Sequence, residues 1–143
     1  MSSVQAFIVS KNLRRALLAC ACAAGAFGAA QAQSAMPQWK GEGAVRYVCG
    51  GIGSDESTAM RAAMKEHPLA LLFARSDGAY LTDVQVDIKG ADGAPSLGLR
   101  ASGPVCLVDL PAGRYTIDAA MAGSAKSQTV TVGGGSKTVD FRF

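Results

Sequence analysis

Two cysteines far apart in the chain are the first residues whose chemistry can be weighed. Cys49 and Cys106 lie in separate apolar segments, whereas Cys20 and Cys22 stand together near the N-terminus. Residues 1–32 have the pattern of a signal peptide, so Cys49 and Cys106 are the only thiols expected in the exported chain, and an even number of thiols there predicts a disulfide. Closing the loop between them would stabilise the fold by about 4 kcal/mol. The alternative is two buried free thiols on separate strands. No C-x-x-C motif follows residue 32, so redox catalysis is not expected.

A glycine-rich turn ahead of a predicted helix is the second candidate. The sequence GGIG leads into Ser54, and backbone amides at the start of a helix can hold an anion. Gly51, Gly53 and Ser54 are therefore a candidate anion site. Asp55 and Glu56 already bring negative charge there, and no lysine follows as in a P-loop. The alternative is a simple turn in which Ser54 caps the helix.

A single histidine limits acid–base chemistry. His67 stands between Glu66 and Pro68, where we expect an exposed helix end, and a nucleophilic triad would have to be assembled around it from distant residues. The four aspartates between residues 77 and 92 do not match the spacing of an EF-hand loop. We therefore expect no catalytic residue, no metal and no cofactor.

The N-terminus has the pattern of a signal peptide, residues 1–32. Three basic residues precede an uncharged run of roughly 14 small and apolar residues, which is shorter than the about 20 needed to span a bilayer. We expect cleavage between Ala32 and Gln33. Lipoprotein processing at Cys20 is the alternative, but it leaves too short an apolar run. The sequence thus predicts a periplasmic or secreted protein without a membrane anchor.

Removal of this segment changes the charge. The whole chain has 14 Lys and Arg against 11 Asp and Glu, a formal charge of +3. The three basic residues in excess all lie in the predicted signal peptide, so the remaining chain is formally neutral. Neither nucleic acid nor an anionic membrane is an expected partner. An unidentified protein or small-molecule ligand is expected instead.

The elements that would carry these residues are mostly strands. After a flexible leader, residues 33–43, the chain from 44 to 143 has the size of one domain. A helix is predicted from about Ser54 to Glu66, and the apolar run Leu69 to Ala74 predicts a buried strand. Alternating segments then recur roughly every 8–12 residues, which gives about eight strands. This pattern predicts a mainly β fold, an antiparallel two-sheet sandwich with one inserted short helix.

One turn motif, Leu-Pro-x-Gly-x-Tyr, stands out in the segment from Gly103 to Ala119. Leu110 would anchor the incoming strand in the core and Pro111 would preset the turn. Gly113 would supply a positive φ, and Tyr115 would pack inward and hydrogen-bond the corner. The segment resembles the carboxypeptidase regulatory-like, or transthyretin-like, β-sandwich family.

The resemblance covers about residues 78–132 and implies an Ig-like sandwich. Domains of this family usually accompany enzymes or receptors as folding or binding modules, and small exported bacterial proteins carry the domain alone. We therefore expect an exported, non-enzymatic binding or accessory module. One alternative is a small periplasmic hydrolase whose site the sequence does not reveal. The other is an envelope chaperone or inhibitor that recruits a partner strand along an open sheet edge.

Overall fold

A computed structural model describes residues 36–143, and this part of the chain forms two β-sheets and a short helix. The elements in chain order are β1 Lys40–Glu42, β2 Val45–Gly50, α1 Ser54–Ala63, a 3₁₀ turn Met64–Glu66, β3 Leu69–Ala74, β4 Val84–Gly90, β5 Leu97–Ala101, β6 Val105–Asp109, β7 Gly113–Met121, β8 Ser124–Val132 and β9 Lys137–Arg142. The predicted signal peptide and its cleavage site at Ala32 and Gln33 lie outside the described residues.

The two sheets have the strand orders β1-β2-β6-β3-β9 and β5-β4-β7-β8. The main core lies between them, since alternate residues of each strand point inward. In β4, for example, Val84 and Val86 are buried while Gln85 and Asp87 are exposed. The predicted mainly β sandwich with one short helix is therefore confirmed. One strand pair is parallel rather than antiparallel as predicted. The chain passes from β8 in the four-stranded sheet to β9 in the five-stranded sheet, where β9 runs parallel to β3.

A second, smaller core lies on the outer face of the five-stranded sheet, where α1 packs. Met60 of the helix is fully buried with Val48, Ala70 and Leu107 of the sheet. Strand β3 is consequently covered on both faces, which explains why Leu69–Ala74 is a continuous apolar run rather than an alternating one. No helix within residues 36–143 is long and apolar enough to cross a membrane.

The leader predicted to be flexible, residues 33–43, contains a strand in its last part. Its last part, Lys40–Glu42, forms β1 and pairs with β2, with Lys40 opposite Tyr47. Gly43 makes the tight turn between the two strands at a positive φ of 63°. The apolar–polar pattern could not show this strand, because all three of its residues are exposed at the sheet edge.

Candidate functional site

The cysteines predicted to pair do form a disulfide, Cys49–Cys106. They lie directly opposite each other on β2 and β6, and both are buried. Free thiols, the alternative, are excluded. The bond joins neighbouring strands of one sheet rather than the two sheets, so its role is to fix the pairing of β2 with β6.

The turn motif between β6 and β7 forms the predicted tyrosine corner. Leu110 and Tyr115 are buried, and the Tyr115 hydroxyl donates to the Pro111 carbonyl oxygen at 2.7 Å. Burial raises the pKa of Tyr115. The positive φ expected at Gly113 was wrong, because this residue already has extended backbone as the first residue of β7, opposite Val132.

One residue of the candidate anion site, Gly51, is bonded to the chain's own Glu56 carboxylate. Glu56 Oε1 accepts hydrogen bonds from the amides of Gly51 at 2.8 Å and Ile52 at 3.4 Å. The N-cap position is Gly53 without a side-chain hydrogen bond, and Ser54 is the first residue of the helix, so the expected Ser54 cap was wrong. Of the predicted residues, Gly51 thus donates its amide to a hydrogen bond that stabilises the turn, and Ile52 beside it does the same.

A polar cluster on the outer face of the five-stranded sheet was missed by sequence reasoning. The Asp109 carboxylate accepts a hydrogen bond from Arg46 Nη2 at 2.8 Å, and its other oxygen lies 2.8 Å from His67 Nδ1. The Trp39 ring lies 4.7 Å from the imidazole, and the Arg46 guanidinium lies 5.1 Å from the Trp39 ring centre. The exposed helix end expected for His67 was wrong, since its side chain is only 21% exposed.

This cluster also borders a cleft of about 350 Å³. His67 and Lys65 line this cleft, together with residues 133–136, which are three glycines and Ser136 in the loop between β8 and β9. No local motif could have found the cluster, because its four residues come from four separate segments. Only the pairing of β2 with β6, which sets Arg46 opposite Asp109, brings the first two together.

An apolar groove of about 310 Å³ lies at another part of the surface. Ile52 and Tyr80 line it and are 60% and 61% exposed, and Pro104 completes the lining. The Arg61 guanidinium lies 5.0 Å from the centre of the Tyr80 ring. Ile52 and Tyr80 are the most exposed large apolar side chains within residues 36–143.

The edges of the two sheets differ in how they are closed. Strand β1 is only three residues long. Strand β5 leads into Ser102, whose hydroxyl donates to the Cys49 carbonyl oxygen of the other sheet at 3.2 Å. At β9, the Asp140 carbonyl oxygen accepts a hydrogen bond from Gln128 Nε2 at 2.8 Å. Strand β1 is thus short, the segment after β5 is bonded to the other sheet, and one carbonyl group of β9 is already occupied.

The fourth edge, β8, is nine residues long and contains no proline. A two-residue turn with positive φ at Ala122 and Gly123 joins it to β7, and Met121 pairs with Ser124 across that turn. From that pair onward, residues of β8 whose backbone N–H and C=O groups bond to β7 alternate with residues whose N–H and C=O groups point away from β7. The N–H and C=O groups that point away from β7 therefore belong to Ala125, Ser127, Thr129 and Thr131. Within residues 36–143 these groups have no backbone partner.

An ion pair crosses the outer face of the same sheet beside β8. Asp118 accepts hydrogen bonds from Ser127 Oγ at 2.6 Å and from Lys89 Nζ at 2.9 Å. The hydrogen bond from Ser127, followed by that from Lys89, lowers the pKa of Asp118. The hydrogen bond to Asp118 in turn raises the pKa of Lys89. This exposed network links the side chains of β4, β7 and β8.

No protein-family model matches the chain, and no curated protein is similar to it. Function is therefore inferred from the chemistry of these surfaces.

Proposed function

We propose that the protein is an exported binding or accessory module that acts without catalysis. It binds an extended segment of a partner polypeptide, which adds a strand to β8. The observation that carries this proposal is the row of unpaired backbone groups at Ala125, Ser127, Thr129 and Thr131. In strand addition such groups supply affinity through main-chain hydrogen bonds.

The rest of the fold supports a rigid scaffold for such an edge. The Cys49–Cys106 disulfide and the Tyr115 corner restrain both sheets near their centres. Strand β1 offers an incoming strand only three residues, whereas β8 offers nine. Binding then requires little ordering of the protein itself, which favours affinity.

The periplasm, or the cell exterior, is the proposed location. Disulfides persist in oxidising compartments, which agrees with a signal peptide at residues 1–32. The resemblance of residues 78–132 to carboxypeptidase regulatory-like domains also favours an accessory role, since such domains usually serve as folding or binding modules. The partner is a polypeptide in this proposal, not nucleic acid or membrane.

A blocked edge tests the proposal. The full chain is expressed, and the protein is recovered from the cell envelope, where its mass should correspond to cleavage after Ala32. Envelope extract is then passed over the immobilised protein. A retained polypeptide should be held by the wild type and by Thr129→Ala, but lost with Thr129→Pro, which removes one outward N–H. Retention that survives Thr129→Pro, or no retention by the wild type, would contradict the proposal.

A small hydrolase is the second candidate, favoured by one observation. Asp109 is hydrogen-bonded to the imidazole of His67, and His67 shares its cleft with Ser136. An acid, an imidazole and a hydroxyl are the components of a nucleophilic site. Turnover of p-nitrophenyl esters that is lost in both His67→Ala and Ser136→Ala would establish it, whereas no turnover by the wild type would dismiss it.

A further inference from the structure

Lysine 126 indicates the chemistry of the partner strand, an inference that rests on the proposed function. Lys126 is the only charged residue of β8, and its side chain is exposed. It has no ion-pair partner within residues 36–143. The acidic residue of the neighbouring β9, Asp140, is already bound at 3.0 Å by Arg142. An unpaired ammonium group therefore stands on an open edge.

The position of Lys126 on the strand fixes what would lie opposite it. Side chains alternate along a strand, so Lys126 shares a face with Gln128, Val130 and Val132. Val132 is buried and Val130 is half-buried against the main core, whereas Lys126 is exposed. A strand added to β8 would thus place one side chain beside Val130, at the margin of the core, and another beside Lys126.

We infer that the partner segment is acidic and amphipathic: it carries a carboxylate opposite Lys126 and an apolar β-branched side chain opposite Val130. These two side chains lie four residues apart on one face of the added strand. Opposite charges on directly facing positions stabilise strand pairs, and like charges destabilise them. Lys126 consequently selects against basic and wholly apolar strands.

A second copy of the chain offers Lys126 no carboxylate in any register, because β8 contains no acidic residue. If two β8 strands pair antiparallel around Gln128, each Lys126 faces Val130 of the other copy. The ammonium group would then lie against an apolar side chain and lose water without gaining a partner. An acidic segment satisfies the same group, so we assign the edge to a different polypeptide.

Two matched peptides test the inference. The peptide VTVTQTETS, added antiparallel to β8, places its glutamate opposite Lys126 and a valine opposite Val130, and VTVTQTKTS differs only in that charge. Fluorescence anisotropy with the purified protein should show the glutamate peptide binding roughly three- to tenfold more tightly. Lys126→Glu should reverse the preference, whereas Lys65→Glu, the same charge change at the helix end, should leave it intact.

The edge variants separate the possible failures. Thr129→Pro should abolish binding of both peptides, and Thr131→Pro serves as a second blocking variant if the first does not fold. Equal affinities that are lost in the proline variants would overturn the charge inference but keep the proposed edge. Binding that survives in the proline variants, or no binding of either peptide, would overturn both. A wild-type dimer in sedimentation that Thr129→Pro dissociates would identify a second copy as the partner and overturn the inference.

Discussion

The Nδ1 atom of His67 lies 2.8 Å from the Oδ1 atom of Asp109. The two residues belong to different parts of the chain, and the second oxygen of Asp109 is bound by Arg46. Trp39 packs on this group from the segment before β1. The cluster thus attaches the N-terminal end of the described chain to the outer face of the sheet, and its half-buried carboxylate is the group on which that attachment depends.

Removal of the Asp109 carboxylate should destabilise the fold. Asp109→Ala leaves Arg46 and His67 without their shared acceptor, and we expect a loss of about 2 kcal/mol in the free energy of unfolding. Urea unfolding followed by Trp39 fluorescence measures it. The matched control is Asp118→Ala, which also removes a carboxylate with two donors, but on the exposed face, and should have little effect. Equal losses in both variants would contradict this expectation.

The pKa of Asp118 should rise when the hydrogen bond from Ser127 is removed. Because the hydrogen bond from Ser127 is the largest single cause of the lowered pKa of Asp118, Ser127→Ala should raise that pKa, and Lys89→Met, which removes a hydrogen bond and a charge, should raise it too. A carboxyl group with a lowered folded pKa adds stability above its unfolded pKa and loses it as the pH falls through the folded pKa. Carboxyl-carbon NMR titration measures the pKa values directly, and an unchanged Asp118 pKa in Ser127→Ala would refute the assignment.

Loss of the disulfide should have a large effect on stability. The bond joins cysteines separated by 57 residues in sequence, and replacing both Cys49 and Cys106 with Ala should cost about 4 kcal/mol. Denaturant unfolding of the oxidised wild type and the double variant gives the difference. Reduction of the wild type with dithiothreitol should reproduce it. A difference below about 1 kcal/mol would show that β-strand pairing alone fixes these strands.

Two glycines should tolerate alanine very differently. A Cβ atom on Gly103 would overlap the backbone carbonyl of Gly50, where the segment after β5 crosses the other sheet. The backbone on both sides resists movement, so we expect Gly103→Ala to lower the melting temperature by several degrees. A Cβ atom on Gly113 would make only ordinary contacts, about 3.5 Å from Ala94 and Tyr115, so Gly113→Ala should fold normally. The opposite ranking would show that the motif glycine is the indispensable one.

Removal of a single hydroxyl should test the tyrosine corner. Tyr115→Phe keeps the buried ring but leaves the Pro111 carbonyl without its donor, and we expect a cost of about 1 kcal/mol. Thermal unfolding by circular dichroism provides the measurement. Tyr80→Phe removes a hydroxyl from an exposed ring and should leave the melting temperature unchanged. A Tyr115→Phe protein as stable as the wild type would mean that packing alone holds the corner.

The sandwich was predictable from the residue pattern alone, because a strand with one face in the core must alternate apolar and polar residues. Val84 to Ile88 and Tyr115 to Ala119 show this alternation, and their burial follows it. The cysteine pair and the inward packing of Tyr115 were also predictable, since each depends on residue type and on a local turn. The positive φ predicted for Gly113 was wrong, because the backbone angle of this residue depends on where β7 begins.

The surroundings of Asp109 and the position of β8 at a sheet edge could be seen only in the folded protein. Arg46 and His67 reach this carboxylate because β2 pairs with β6 and the helix returns the chain beside them, and Trp39 packs against the His67 ring. Whether β8 lies at an edge depends on the order of strands in the sheet, which is set by long-range pairing rather than by the residues of β8. Contacts between distant segments leave no periodic signal in the sequence, so the candidate binding surface could be found only in the folded chain.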